Sequence, residues 1–318
     1  MYKMKLLPYN VTEVGRDINV SSYGVKMIRA DKFWNKSSGG EGITVAIIDT
    51  GCDINHVVLK DKIVHTRNFT KDDESNKLVV NDYIGHGTHV AGIVHSVAPA
   101  CNLMILKALD RHGEGEYKWT INAINYAISQ KVDIISMSLG GYLDDENLHK
   151  AVKNAVNNNI LVVCAAGNDG DNTSITNEFS YPASYSEVIS VGAVDEKAKP
   201  AYFSNSNNLI DVMAPGVGIL STFKNNSYAI LDGTSMAAPH VSGSLALIKN
   251  YSNKEFKRVL SESEIYAQLI KFTLDLNYDK NTQGNGLVFL ETPKMPKKIF
   301  KNVHVKITKW LSWKFNFY

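Results

Sequence analysis

Short apolar runs alternate with longer amphipathic segments through most of this chain, and this alternation restricts the fold more than any other feature. The runs with the length of a strand cover residues 43–49, 103–109, 132–139, 160–166, 188–194 and 210–214. Helical periodicity is found at residues 88–95, 118–130, 145–158, 235–250 and 262–272. Strands that are apolar on both faces and separated by helices are typical of a parallel sheet covered on both sides. The sequence therefore predicts an α/β fold of three layers, with a central, mainly parallel sheet between helices.

The chain of 318 residues, 44% of them hydrophobic, is long enough for one large domain. We expect this domain at residues 25–290, after an N-terminal arm (1–24) and before a C-terminal tail (291–318). The arm precedes any strong periodic pattern, and lysines alternate with aromatic residues in the tail. Such a tail fits a membrane surface or nucleic acid, although packing on the domain or on a dimer partner is the commoner role.

Composition narrows the class of protein. The formal net charge is only +2, so overall electrostatics imply no nucleic-acid partner. The first 20 residues lack the apolar core of a secretion signal, and no run of eighteen apolar residues occurs, so we expect a cytoplasmic protein. Three cysteines are an odd number, which favours buried free thiols over a disulfide framework.

The stretch 232–240, Asp-Gly-Thr-Ser-Met-Ala-Ala-Pro-His, has the pattern of a turn that places Ser235 at the start of a buried helix. Gly233 permits a tight turn, and the unpaired N–H groups and positive dipole of a helix start favour a developing negative charge. A serine before an apolar run is more often a helix cap. The catalytic interpretation therefore depends on other residues.

Three such residues stand at the ends of predicted elements. Asp49 ends the first strand, where a carboxylate is unfavourable unless it is paired, although an Asp there also caps turns. His86 lies at the mouth of a helix, and Asn168 follows a strand, a place where Asn usually just forms a turn. Acyl transfer needs an acid that orients an imidazole, an imidazole that accepts the serine proton, and a donor to the oxyanion. Asp49, His86, Ser235 and Asn168 supply these four roles.

His86 and His89 also have the spacing of two metal ligands. The segment lacks the His-Glu-x-x-His pattern of zinc peptidases, and no obvious third ligand follows. We therefore interpret His89 as a packed structural histidine and predict no metal ligands.

Three motifs in this order resemble the subtilisin family of serine peptidases: Ile-Asp-Thr-Gly (48–51), His-Gly-Thr-His-Val-Ala-Gly (86–92) and Gly-Thr-Ser-Met-Ala-Ala-Pro-His (233–240). The resemblance extends over residues 42–290, and its Asp, His, Ser order is that of the family. It implies a serine endopeptidase that acts on proteins or peptides through the triad Asp49, His86 and Ser235, with Asn168 as oxyanion donor. No cofactor is required by this chemistry.

The intracellular bacterial branch of that family is more similar still. Its members carry a short arm with Leu-Ile-Pro-Tyr, which corresponds here to Leu6, Leu7, Pro8 and Tyr9. They also have Gly-Cys-Asp after the catalytic Asp, and residues 51–53 of this chain are Gly-Cys-Asp. The resemblance implies an inhibitory arm that lies along the cleft, and a homodimer. Pro8 suits such an inhibitor because proline lacks an N–H and constrains the backbone.

The resemblance also implies the substrate contacts. The substrate would add as a strand between two segments and bind through its main chain. On one side of that strand the resemblance implies Ser138, Leu139 and Gly140. On the other side it implies Leu109, Gly113 and Gly115. The primary pocket would be bounded by small residues that leave room for a large apolar side chain, namely Ala165, Ala166, Gly167 and Ser180. Nearby acids, such as Asp169, would favour basic substrates or form only a solvated loop.

One departure from the family concerns calcium. Most subtilisins have a calcium-binding loop that interrupts the helix after the histidine motif, and an aspartate ligand that this chain replaces by Val58. Calcium needs six to eight oxygen ligands, and valine supplies none. We therefore predict that the strong calcium site is absent and that the helix continues unbroken through His95. A weaker site for calcium or a monovalent cation near Ala183, Tyr185 and Asp211 stays open.

Two other functions compete with peptide hydrolysis. A binding protein with the same fold but no activity would usually lack a triad member, and this chain lacks none. An esterase on another hydrolase fold would have Gly-x-Ser-x-Gly at the nucleophile, whereas Ser235 lies between Thr234 and Met236. The full set of catalytic roles favours an active peptidase.

Overall fold

The computed structural model of the chain describes residues 3–15 and 22–291. Their strands are β1 Met4–Leu6, β2 Asn10–Gly15, β3 Thr44–Asp49, β4 Ile63–Asn68, β5 Asn102–Lys107, β6 Glu114–Gly115, β7 Ile134–Met137, β8 Leu139–Gly140, β9 Leu161–Ala165, β10 Ile189–Val194, β11 Val212–Pro215, β12 Ile219–Phe223, β13 Ser227–Asp232, β14 Thr273–Leu274 and β15 Leu287–Val288. Their α-helices are α1 Tyr23–Met27, α2 Ala30–Ser37, α3 His86–Val97, α4 Tyr117–Ser129, α5 Glu146–Asn157, α6 Thr234–Phe256, α7 Glu262–Lys271 and α8 Lys280–Gln283. Apart from Glu291, the predicted tail (291–318) lies outside the described residues.

The central sheet has nine strands in the order β14-β15-β11-β10-β9-β7-β3-β5-β4. Its neighbouring strands are parallel except for β14 and β15. Along β3 the side chains alternate between two cores: Val45 and Ile47 pack in the one that contains α3 and α6, and Ala46 and Ile48 pack in the one that contains α4 and α5. Helices therefore cover both faces. The predicted three-layer α/β fold is confirmed.

Several element bounds differ from the prediction. The apolar run 132–139 forms two strands, because β7 belongs to the central sheet whereas β8 leaves it and pairs with β1. Helix α6 continues past residue 250 to Phe256. Pattern analysis does not predict β4, whose side chains on the edge of the sheet are partly exposed, or β12 and β13, which include polar residues. Their pairing is a tertiary effect.

The three cysteines, Cys52, Cys101 and Cys164, are free and buried, as predicted. Burial raises the pKa of the Cys101 thiol to about 12, because the charged thiolate is poorly solvated there. In residues 3–15 and 22–291, no helix combines the length and the apolarity that a membrane span requires.

The carboxyl ends of the parallel strands place the candidate residues at one edge of the sheet. Asp49 ends β3, Ser138 follows β7, and Asn168 lies shortly after β9. Helices α3 and α6 start at His86 and Thr234, next to Asp49 and Asn168 respectively. This is the edge at which ligands of open α/β sheets bind.

Candidate active site

Asp49 and His86 form a buried pair. The Nδ1 atom of His86 lies 2.8 Å from Oδ1 of Asp49, and that oxygen also accepts the Thr50 N–H at 2.7 Å. Gly87 makes this approach possible, since a Cβ there would lie 2.2 Å from the carbonyl oxygen of Gly51. A carboxylate that accepts a hydrogen bond from the Nδ1–H holds the proton on Nδ1 and leaves Nε2 as the ring nitrogen that is free to act as a base.

A second acid, Asp82, holds the start of α3. Its carboxylate accepts hydrogen bonds from the Gly85 N–H at 2.7 Å, from the Thr88 N–H and hydroxyl at 2.8 and 2.7 Å, and from the Thr50 hydroxyl at 2.9 Å. These bonds satisfy N–H groups at the helix start and tie the helix to the residue after Asp49. Sequence analysis missed Asp82, although an acid just before a helix is a usable signal.

Lys107 is a buried cation behind Asp49. It stands directly opposite Asp49 in the β3–β5 register, and its ammonium donates to the Thr50 carbonyl at 2.7 Å. Its second partner is the Asp72 carboxylate at 3.2 Å. A buried ammonium needs such partners, so Lys107 fixes the loop that carries Thr50. Its position at the end of an apolar strand is the only sequence signal for it.

Ser235 is the second residue of α6 and is fully buried. The preceding Gly233 has φ of 151° and approaches Asn168, whose Nδ2 atom would lie 3.1 Å from a Cβ at that position. Glycine is favoured on both grounds. The predicted turn before Ser235 and the predicted helix start are confirmed.

Ser138 compensates for a proline in the helix that carries Ser235. Pro239 has no N–H to donate to the Ser235 carbonyl four residues earlier, and the Ser138 hydroxyl donates to that carbonyl instead, at 2.8 Å. In return, the Ser235 hydroxyl donates to the Ser138 carbonyl at 3.3 Å. Ser138 therefore fixes the first turn of α6 where the candidate nucleophile sits.

The Nε2 atom of His86 makes no hydrogen bond to any residue that the structure describes. The hydroxyl of Ser235 is bonded to Ser138 rather than to His86. Catalytic hydrogen bonds of this kind often tighten only when substrate is bound. The ring of Tyr9 packs on the His86 ring at 5.2 Å between centroids, so the arm contacts the candidate base.

Asn168 is oriented by Thr234. Its Oδ1 atom accepts the N–H and the hydroxyl of Thr234 at 2.9 and 2.8 Å, which directs the amide nitrogen outward. That nitrogen donates to the carbonyl oxygen of Pro8 at 2.5 Å. A peptide carbonyl therefore lies at the donor that sequence analysis assigned to the oxyanion.

The N-terminal arm lies in the cleft as a strand. β1 pairs antiparallel with β8 on one side, where Lys5 faces Gly140 and Leu6 faces Leu139. It pairs antiparallel with β6 on the other side, where Met4 faces Gly115. The Leu6 N–H also donates to the carbonyl of Gly113 at 2.9 Å. Four of the residues predicted to hold substrate backbone thus lie beside the arm, namely Gly113, Gly115, Leu139 and Gly140.

The other two predicted contact residues have different surroundings. Ser138 engages Ser235, as described above. Leu109 is buried behind Gly115, and its N–H donates to the Asp49 carbonyl at 3.2 Å. Sequence analysis missed Glu114, which pairs with Lys5 in the register and forms ion pairs with Lys3 and Lys5.

Leu7 lies at the predicted primary pocket. A Cβ on Gly140 would meet Ser180 Oγ at 2.2 Å and Leu7 Cδ2 at 2.9 Å, so Leu7 and Ser180 both adjoin Gly140. Leu7 is 5% exposed and belongs to the same apolar core as Ala165.

The remaining predicted pocket residues are close to the site: Ala166 is buried, and the Gly167 N–H donates to the Thr234 hydroxyl at 3.3 Å. Asp169 is an acid at the mouth, where it accepts a hydrogen bond from Tyr142 at 3.2 Å.

His89 is a packed histidine, as predicted. Its Nε2 atom lies 3.0 Å from the carbonyl oxygens of both Ile219 and Ala229. Burial lowers the pKa of His89 to about 3, because a charged imidazolium is poorly solvated inside the core. The ring joins α3 to the β12–β13 hairpin in its neutral form.

The helix that departs from the family pattern is continuous. α3 runs from His86 to Val97, so the prediction of an unbroken helix through His95 is confirmed. At the weaker candidate site, the two Asp211 oxygens already accept bonds from the Ser190 N–H at 2.8 Å and the Tyr266 hydroxyl at 2.6 Å. The Tyr185 carbonyl accepts a hydrogen bond from the Val188 N–H, and Ala183, which is close to Tyr185 in sequence, is buried. The absence of the strong calcium site stays a prediction, and the weaker cation site stays open.

A chelator should therefore change the melting temperature of this protein little. An ion that binds only the folded state stabilises it by mass action, so a protein without the strong site loses little when the ion is removed. The measurement is thermal unfolding of the full chain with and without EDTA. A large drop in EDTA that micromolar calcium restores would contradict the prediction.

Comparison with known proteins agrees with this geometry. The profile of the subtilase family matches residues 40–286. The major intracellular serine protease of Bacillus subtilis (strain 168) is 51% identical over 301 residues, which are 92% of this chain and 94% of the relative. The intracellular serine protease of Paenibacillus polymyxa is 49% identical over 95% of both chains, and subtilisin DY of Bacillus licheniformis is 39% identical over 85% of this chain and 97% of its own. The chain therefore belongs to the subtilase family and is a subtilisin-like serine protease.

Proposed function

We propose that the chain is an endopeptidase that forms an acyl-enzyme on Ser235 and that its own arm inhibits it. The observation that carries the proposal is the hydrogen bond from Asn168 to the Pro8 carbonyl, because it places a peptide carbonyl at the expected oxyanion donor. The two relatives near 50% identity are intracellular serine proteases, which supports a cytoplasmic location for this chain as well.

The reaction follows from the roles of four side chains. The Ser235 oxygen attacks the carbonyl carbon of the substrate while its proton passes to Nε2 of His86. Asp49 holds the imidazole through Nδ1, and Asn168 donates to the oxygen that becomes negative. The proton then goes from His86 to the leaving amine, and the C–N bond breaks. Water activated by His86 releases the acyl group and restores Ser235.

The arm lies in the cleft in a register in which the residue at the primary pocket and the residue whose carbonyl lies at Asn168 are not the same. In a productive complex, the residue whose side chain fills the primary pocket also supplies the carbonyl that is attacked. Here Leu7 lies beside Gly140 and Ser180, whereas the carbonyl at Asn168 belongs to Pro8. Reaction requires close alignment of the attacking and attacked atoms, and this register does not provide it. The arm therefore binds like a substrate but resists cleavage.

Burial of the catalytic residues supports inhibition in the closed state. Ser235 and His86 have no exposed surface, and Asp49 is 1% exposed. Tyr9 packs on His86, and its Cβ lies 3.7 Å from a Cβ position on Gly233. A substrate reaches Ser235 only after the arm moves. The proposed homodimer and the role of the tail stay predictions.

Labelling with a fluorophosphonate tests the proposal. The full chain, with a site-specific protease sequence between Gly15 and Ser22, is folded and then cut there; we call the product the arm-cut protein. It should hydrolyse casein and carry the label on Ser235, whereas the uncut chain should react more slowly. Ser244→Ala, which changes another buried serine of α6, is the matched control and should still be labelled. A label elsewhere, or no label and no hydrolysis, would favour a binding protein of the same fold.

A further inference from the structure

Two lysines are buried in ion pairs at opposite edges of the central sheet. Lys107 ends β5 at the carboxyl edge, where the candidate residues lie, and its side chain has no exposed surface. Lys249 of α6 is 7% exposed, and its ammonium lies 2.9 Å from Asp133, which precedes β7 at the amino edge. An apolar side chain of similar volume is often as stabilising as a buried ion pair. Stability alone therefore does not explain a cation at the edge that carries the active site.

The Lys107 ammonium holds the turn that follows Asp49. β3 ends at Asp49, and the next carbonyl, that of Thr50, receives no main-chain N–H from the residues that the structure describes. Thr50 is fully buried, and the Lys107 ammonium donates to its carbonyl at 2.7 Å. Because an unpaired buried carbonyl is unfavourable, the position of the ammonium determines where this carbonyl points.

Thr50 connects that carbonyl to the candidate acid and base. Its N–H donates to Oδ1 of Asp49 at 2.7 Å, and the same oxygen lies 2.8 Å from Nδ1 of His86. Its hydroxyl accepts the Gly87 N–H at 3.0 Å, directly after the candidate base. A shift of the Thr50 carbonyl moves the residue that makes both contacts. The orientation of the Asp49 carboxylate therefore depends on the bond that Lys107 makes.

The ammonium itself is fixed on its other sides. It lies 3.2 Å from Oδ2 of Asp72 and 5.5 Å from the centroid of the Tyr83 ring, whose face attracts a cation. Arg111 occupies the other oxygen of Asp72 at 3.1 Å and lies over the same ring at 4.6 Å. These contacts restrict a side chain that is flexible in water, so the ammonium provides a rigid anchor for Thr50.

We propose that Lys107 is a positioning residue for peptide hydrolysis. It holds Thr50 so that Asp49 keeps the proton of His86 on Nδ1 and directs Nε2 of the ring toward the serine. Lys107 touches no reacting atom and acts only through Thr50 and Asp49. The inference rests on the proposed endopeptidase function and adds a side chain from outside the triad to it.

Replacement of each buried lysine by methionine tests this role in the arm-cut protein. Methionine retains an unbranched apolar chain but lacks the ammonium. Lys107→Met should lower kcat by about 10²-fold, the loss that follows when catalytic groups are displaced by about 1 Å. KM should change little, because Lys107 does not contact the substrate. Lys249→Met removes the same kind of ion pair at the opposite edge and should keep both constants. Normal kcat in Lys107→Met, or equal losses in the two variants, would overturn the inference.

Proton NMR of the uncut chain provides a measurement that does not depend on activity. The Nδ1 proton of a histidine bonded to a carboxylate resonates at low field, and the signal of His86 is assigned by its loss in His86→Ala. Lys107→Met should shift or broaden this signal, whereas Lys249→Met should leave it unchanged. An unchanged signal in Lys107→Met would contradict positioning through Asp49. Failure of the proposed function would instead appear as absent hydrolysis by the unaltered arm-cut protein, with a signal that still responds to Lys107→Met.

Asp72→Asn is a milder variant, and it decides the question if Lys107→Met does not fold. It leaves the bond from Lys107 to Thr50 in place but removes the charge that fixes the ammonium on the other side. The kcat should fall by about three- to tenfold, because one of two strong contacts is weakened. The His86 signal should shift in the same variant. Normal kcat together with an unshifted signal would contradict the role of Lys107.

Discussion

Replacement of Ser235 by Ala is expected to lower kcat for peptide hydrolysis by at least about 10⁴-fold, because the acyl-enzyme cannot form without the hydroxyl. The residual rate enhancement comes from substrate binding and from hydrogen-bond donors such as Asn168. The measurement is kcat and KM of the arm-cut protein on a fluorogenic peptide. KM should change little, since the hydroxyl is buried against Ser138 and contributes little to ground-state binding.

Two further variants test the roles of His86 and Asn168 in the same reaction. His86→Ala should cause a loss similar to that of Ser235→Ala, and the double variant should lose little more, because the two residues act as a unit. Asn168→Ala should lower kcat by about 10²–10³-fold, the range found when such a donor is removed from a subtilisin. Ser244→Ala should keep normal kcat. Near-normal turnover by Ser235→Ala would contradict the assigned nucleophile.

The central sheet was predictable because its strands are apolar on both faces. The register of β3 with β5 and β7, for example, joins runs that are apolar nearly throughout. The buried bond between Asp49 and His86 also follows from sequence, since each residue stands at the end of a predicted element where a lone polar group needs a partner. Local pattern and tertiary structure agree at these places.

Asp82 and Lys107 show what sequence patterns leave out. Asp82 lies in a segment without periodicity, and its position depends on donors from Thr50 and Thr88 that only the folded chain brings to its carboxylate. Lys107 ends an apolar strand, where a cation becomes favourable only because Asp72 and the Thr50 carbonyl lie opposite. The strands β12 and β13 were missed for a similar reason. Pairing with each other and with β2 stabilises them as strands although they contain polar residues.

The register of the arm was also beyond sequence analysis. Proline at position 8 suggests a strand that resists cleavage, but not which residue enters the pocket. That choice depends on how β1 pairs with β6 and β8 while β2 pairs with β13. The two pairings fix the chain on both sides of Pro8, and in this register the carbonyl that Asn168 contacts is that of Pro8.

A full chain with Leu7→Asp is expected to be about 10- to 100-fold more active than the unaltered full chain. Leu7 is 5% exposed, and replacing it by a charged residue removes apolar burial and would place an unpaired carboxylate in an apolar site. The free energy lost, about 1.4–2.8 kcal/mol, shifts the equilibrium between the closed and the open arm about 10- to 100-fold toward the open state. Activity of the arm-cut protein sets the upper limit.

Val14→Asp is the matched control, because it introduces the same charge into the same arm at a side chain that is 54% exposed. It should leave the arm closed and the activity unchanged, since β2 binds β13 through its main chain. Both full chains are compared with the unaltered one by initial rate on a fluorogenic peptide, after equal melting temperatures of the domain have been verified. If Leu7→Asp and Val14→Asp had the same activity as the unaltered chain while the arm-cut protein were far more active, Leu7 would not be what holds the inhibitor in place.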